Sequence, residues 1–149
     1  MTSENGSARR LVLLIDDDDL IVGSLRHYLT TQGCDVDVAV ALPAADALMR
    51  AKNYDVVVVD PYFTGAIHED SGIVESIGAL QPRASTIVLT AYASPALERL
   101  AIACRATALL TKPQSVVYLS ELVGATQALL PFSSQDLDSQ QPSFKGKLQ

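Results

Sequence analysis

The chain has 149 residues, 48% of them hydrophobic, with 17 acidic against 11 basic side chains and a formal net charge of -6. That length allows about one domain with a single substantial core, and the acidic balance with scattered Lys and Arg argues against direct nucleic-acid binding. No apolar run reaches the roughly 18 residues of a membrane-spanning helix, and the polar stretch Met1 to Arg10 lacks a signal-peptide pattern.

In chain order, residues 1–10 read as a short disordered leader. Leu11-Val12-Leu13-Leu14-Ile15 is a buried-strand run that stops on four acids, Asp16 to Asp19. A helix face follows over about 18–31 (Leu20, Ile21, Leu25, Tyr28, Leu29), with Gly33 as its C-terminal stop. A strand over 35–40 precedes a helix that Pro43 opens. The β-branched run over 55–60 stops on Asp60, and a third helix begins near Asp70 or Ser71, with Ile73, Val74, Ile77 and Leu80 on one face and Gln81-Pro82 closing it. A strand over 85–90 stops on Thr90, Ser94-Pro95 opens a fourth helix, and a strand over 106–110 precedes Lys112. Ser115 caps a fifth helix that runs to about Leu130. Residues 11–130 thus alternate five strands with five helices, which predicts an α/β fold with a parallel sheet covered on both faces. Residues 131–149 shift to Ser, Gln, Asp and Lys and read as a flexible tail or linker.

Ligands of such sheets collect outside the carboxyl ends of the strands. Asp16, Asp17 and Asp60 all stand at strand ends, and carboxylates packed together raise one another's pKa unless a cation sits among them. The pattern predicts a divalent metal with oxygen ligands, and magnesium fits it. A carboxylate beside that metal can act as a nucleophile toward phosphorus. Lys112 offers an ammonium and Thr90 a hydroxyl to the oxygens of a phosphoryl group in transfer.

Four segments, Leu13-Leu14-Ile15-Asp16-Asp17-Asp18, Asp60 after its Val run, Ile87-Val88-Leu89-Thr90-Ala91 and Leu110-Thr111-Lys112-Pro113, resemble the two-component response-regulator receiver domain in order and spacing. The resemblance implies a flavodoxin-like doubly wound sheet of strand order 2-1-3-4-5. It implies Asp60 as phosphoacceptor, Asp17 as direct Mg2+ ligand, Asp16 acting through metal-bound water, and the backbone carbonyl of Tyr62 as a further ligand. Thr90 and Lys112 become the switch hydroxyl and the phosphate-pairing lysine, with the Lys112-Pro113 bond often cis. The implied phosphate source is a histidine kinase or phosphotransfer protein. The implied output is a downstream protein or a second copy of the chain, engaged through helix 4, strand 5 and helix 5. Such a domain takes up and slowly loses phosphate without being a turnover enzyme. The lack of a spanning run and of a signal-peptide pattern, with two lone thiols, sets the expectation of a cytoplasmic location.

Several positions depart from the pattern. Pro61 follows Asp60 at once, and the loop 61–71 is about four residues longer than usual, adding His68, Glu69 and Asp70 near the site. Leu109 replaces the common aromatic of strand five, and Arg105 stands where glycine is usual, which suggests a different turn. Tyr62 and Tyr92 make both positions two beyond the acceptor and the threonine bulky. Asp18 and Asp19 read as helix caps, and His27 and His68 as solvated side chains. Cys34 and Cys104 are lone thiols suited to a reducing compartment. Two alternatives compete: an interaction-only receiver using the long loop and a Leu109 surface, and a magnesium-dependent aspartyl phosphatase. The latter needs a second acid where this chain has Tyr62.

Overall fold

The structure is a computed structural model that describes residues 9–62, 71–126 and 133. The remaining parts of the leader and tail, the loop with His68, Glu69 and Asp70, and the end of the predicted fifth helix lie outside the described residues. Strands β1 (Leu11–Ile15), β2 (Asp35–Ala39), β3 (Val56–Val59), β4 (Ser85–Thr90) and β5 (Ala108–Thr111) alternate with helices α1 (Asp19–Thr31), α2 (Leu42–Ala51), α3 (Ser71–Leu80), α4 (Pro95–Ala103) and α5 (Val116–Ala125). All neighbouring strands are parallel, in the order β2-β1-β3-β4-β5, which is the doubly wound arrangement expected.

The period of two along each strand divides the core. Leu13 and Ile15 of β1, Val57 and Val59 of β3 and Val88 of β4 pack with Met49, Ile73, Ile77, Leu97 and Ala101 from α2, α3 and α4. Val12, Leu14, Val56, Val58, Ile87 and Leu89 face the other way and pack with Leu25, Leu29, Leu119, Leu122 and Val123 from α1 and α5. Sheet strands buried on both faces need continuous apolar runs, and the four valines of β3 are all buried.

Local signals set the helix ends. Asp18 caps α1, its side chain accepting from the Leu20 and Ile21 N–H groups, and the α1 C-terminus closes in a Schellman motif. There the Gly33 N–H donates to the Thr30 carbonyl and the Cys34 N–H to the Leu29 carbonyl, with Gly33 at φ +92°. Pro43 sits in the first turn of α2, and the hydroxyls of Ser94 and Ser115 cap α4 and α5.

Two expectations are corrected, and Arg9 and Arg10, at the end of the leader segment, make contacts with the fold. Arg9 pairs with Asp35 at 3.1 Å, and Arg10 donates to the carbonyls of Val123 and Gly124 and to the Thr126 hydroxyl, so it serves the last carbonyls of α5. The turn at Arg105 is the left-handed one a glycine would make, with Arg105 itself at φ +61°, a conformation that costs an L-residue about 1 kcal/mol. Leu109 forms no surface, because it is buried in the core beside α4.

Away from the strand-end carboxylates, Asp37 accepts from the Tyr54 hydroxyl at 2.6 Å and pairs with Lys52 at 2.8 Å. The Lys52 hydrogen bond first and Tyr54 second hold the Asp37 carboxyl below its ordinary range, whereas burial first and Asp37 second push the Tyr54 phenol up. A depressed carboxyl pKa stabilises the fold above its unfolded value of 3.8 and loses that effect as pH falls through the folded pKa. A raised phenol pKa stabilises below its unfolded value of 10.0 and loses it as pH rises through the folded pKa. Tyr54→Phe is therefore expected to cost about 1 kcal/mol at pH 7. The gap from the parent should narrow below pH 4 and above pH 10 in denaturant titrations; a gap independent of pH would show the hydroxyl to be uncoupled from Asp37.

Candidate functional site

Strand register brings the site together. Ile15 pairs with Val59, so the next residues, Asp16 and Asp60, leave adjacent strands side by side. Thr90 pairs with Thr111 across β4 and β5, and the Lys112 N–H donates to the Thr90 carbonyl at 2.8 Å, placing the lysine one step past the sheet edge. The Lys112-Pro113 peptide is cis.

Lys112 Nζ lies 2.9 Å from Asp60 Oδ2, 3.0 Å from Asp16 Oδ2 and 3.9 Å from Asp18 Oδ2. Its side chain is 14% exposed and those of Asp16 and Asp60 are 8% exposed. The second oxygens are held by backbone: Asp16 Oδ1 accepts from the Asp18 N–H at 3.0 Å, and Asp60 Oδ1 from the Tyr62 N–H at 2.9 Å. Thr90 is fully buried, and its Oγ1 accepts from the Tyr92 N–H at 3.2 Å. Asp17 is exposed at the rim, and His27 is exposed on α1.

One ammonium thus serves two desolvated carboxylates. Burial raises the Asp16 pKa, and Lys112 and the Asp18 N–H only partly oppose it. Burial also acts to lower the Lys112 pKa, but its hydrogen bonds to Asp60 and Asp16 overcome that effect and the net shift is upward. The two directions agree, since a cation between two anions is held charged while burial penalises the charged form of Asp16. Oxygen donors with uncompensated negative charge at an open strand edge suit a hard dication such as magnesium. Among the described residues, no three His, Cys, Asp or Glu side chains are already gathered as a metal cage. Asp16 and Asp60 meet on Lys112, and Asp17, the next residue after Asp16, is exposed.

Two features escaped the sequence reading. The rings of Tyr62 and Tyr92 meet edge to face with centroids 5.7 Å apart, although their shared offset of two from Asp60 and Thr90 was legible. Asp18 is both the α1 cap and a distant partner of Lys112. The two cysteines are free and partly buried, and burial pushes both thiols up.

A doubly wound five-stranded sheet of this order, with a lysine-bridged carboxylate pair at its carboxyl edge, defines a receiver-type α/β domain. The chain matches the family model of the response regulator receiver domain over residues 12–124 and belongs to that family of signalling domains. It is 28% identical over 131 residues to the photosynthetic apparatus regulatory protein RegA of Rhodobacter capsulatus, covering 87% of this chain and 68% of that one. A Burkholderia pseudomallei response regulator, crystallised with a phosphorylated aspartic acid, calcium ion and citrate, superposes with a TM-score of 0.66 at 28% identity over 80% of this chain and 73% of that one. The beryllofluoride-activated NtrC4 receiver domain dimer gives a TM-score of 0.68 at 26% identity over 78% and 94%.

Proposed function

We propose that this chain is a phosphoryl-accepting switch of a two-component relay, phosphorylated on Asp60 by a histidine kinase or phosphotransfer protein with Mg2+. The observation that carries this is the Asp60 carboxylate, buried at the end of a central strand with Oδ1 on the Tyr62 N–H and Oδ2 on Lys112. Backbone and lysine orient it, so that little reorganisation precedes attack. An Asp60 oxygen forms the new O–P bond, the donor's N–P bond breaks, and the imidazole leaves with that electron pair. Lys112 stays within reach of the arriving negative charge, and the buried Thr90 hydroxyl can donate to a phosphoryl oxygen. Asp16, Asp17, Asp60 and the Tyr62 carbonyl would hold magnesium, which when bound neutralises the phosphoryl oxygens. The phosphorylated aspartic acid and calcium ion of the Burkholderia protein support the same chemistry here.

Phosphorylation then biases two conformations that differ in affinity for a partner at the α4–β5–α5 face. That partner is a downstream protein or, as the NtrC4 receiver dimer suggests, a second copy. A cytoplasmic location belongs to the same proposal; no helix among the described residues is long and apolar enough to cross a membrane. The test is incubation with a small phosphodonor and magnesium. Intact mass should rise by one phosphate, and borohydride trapping should map it to Asp60; no uptake, or uptake at another residue, would overturn the assignment.

Magnesium should also stabilise the unphosphorylated chain. A dication adds positive charge beside two carboxylates that share one ammonium, so millimolar magnesium should raise Tm at pH 7 by a few degrees through mass action. Asp17→Asn should lose most of that gain. An equal gain in both proteins would place the ion elsewhere.

A further inference from the structure

We infer that the rings of Tyr62 and Tyr92 form a bridge that ties the acceptor loop to the threonine loop and holds Thr90 in its unphosphorylated position. Both tyrosines are then positioning residues for the switch, acting through Asp60 and Thr90; the inference rests on Asp60 being the acceptor.

Two equivalent turns lie side by side. The Tyr62 N–H donates to Asp60 Oδ1 at 2.9 Å, and the Tyr92 N–H donates to Thr90 Oγ1 at 3.2 Å. Each turn continues into a tyrosine ring, and the rings meet edge to face at 5.7 Å with their planes at 73°. This distance and angle fall in the favourable range for aromatic pairs. Tyr92 is 69% exposed, so the sheet core does not fix its ring, whereas the partly buried Tyr62 touches it directly.

A phosphoryl group on Asp60 would give the Thr90 hydroxyl an acceptor on the Asp60 side. Drawing Oγ1 toward that group stretches its bond to the Tyr92 N–H and carries the turn over Ala91 and Tyr92 with it. Moving the Tyr92 turn would draw its ring away from Tyr62, so the ring pair weights the equilibrium against the displaced arrangement. A single edge-to-face pair changes such a ratio by about two- to tenfold. Leu109 is packed in the core beside α4, and no ring at that position shares this role.

Beryllofluoride with magnesium, titrated into the full chain by calorimetry, serves as the phosphoryl mimic. Tyr62→Leu and Tyr92→Leu should each bind it about two- to tenfold more tightly than the parent, with the double variant no tighter than the better single one. Hydrogen exchange without the mimic gives an independent arm. Exchange over Ala91 to Ala96 should quicken in Tyr62→Leu, a change remote in sequence, and stay slow in Tyr92→Phe, which keeps the ring. Unchanged affinity, or additive effects in the double variant, would overturn the bridge. If the parent itself fails to bind the mimic, the Asp60 assignment falls, and the exchange arm alone decides the bridge: unaltered exchange in Tyr62→Leu refutes it.

Discussion

Asp60→Asn should take up no phosphate under conditions that load the parent chain, while remaining at least as stable as the parent without magnesium. The first half follows from the chemistry of the group. A carboxamide oxygen carries no full negative charge and is a far weaker nucleophile toward phosphorus. The second half follows from the ion arrangement. Lys112 serves both Asp16 and Asp60 at 3.0 and 2.9 Å, so removing one carboxylate leaves a balanced pair, and Asn can still accept from the Tyr62 N–H. Stability separates loss of the nucleophile from loss of the fold. Intact mass after phosphodonor treatment, paired with thermal melting, provides the check. Labelling at the parental level would show that another residue accepts the phosphate, and a melting point several degrees lower would show that Asp60 is chiefly structural.

Gln81→Ala should cost roughly 3 kcal/mol. Gln81 is buried at the end of α3. Its Oε1 accepts from the Tyr54 N–H at 2.8 Å, and its Nε2 donates to the Met49 carbonyl at 2.8 Å and the Lys52 carbonyl at 2.7 Å. One side chain therefore serves the C-terminus of α2 and the approach to β3. Truncation leaves three backbone groups without this partner, and unmade buried hydrogen bonds cost about 1–3 kcal/mol each before water enters. Gln81→Glu keeps the volume but turns a carboxylate oxygen toward two carbonyls, so it should be as damaging as alanine at pH 7. Denaturant unfolding would measure both. A harmless glutamate would mean that the alanine loss is only a cavity effect.

The sequence alone determined the alternation of elements and the edge on which chemistry collects. Apolar runs of strand length stopping on Asp16, Asp60 and Thr90, with helix-period segments between them, leave few topologies once crossovers are right-handed. Gly33, Ser94 and Ser115 acted where they were read, because caps depend on neighbours a few residues away. Arg105 was misread for a related reason. Glycine favours a left-handed turn but does not own it, and the surrounding structure imposes φ +61° on arginine.

What only the tertiary structure decided were contacts between residues distant in the chain. Register alone sets Lys112 between Asp16 and Asp60, leaves Asp17 at the rim, and turns Leu109 into the core. Gln81, read as helix punctuation, became a latch because its partners lie 27 to 32 residues away. Arg10 bonds to α5 across more than 110 residues, and Tyr62 meets Tyr92 across two loops. Periodicity and capping are local properties of a chain. Pairing of side chains across strand ends depends on which strands are neighbours and in what register, and these are fixed only when both faces of the sheet are packed.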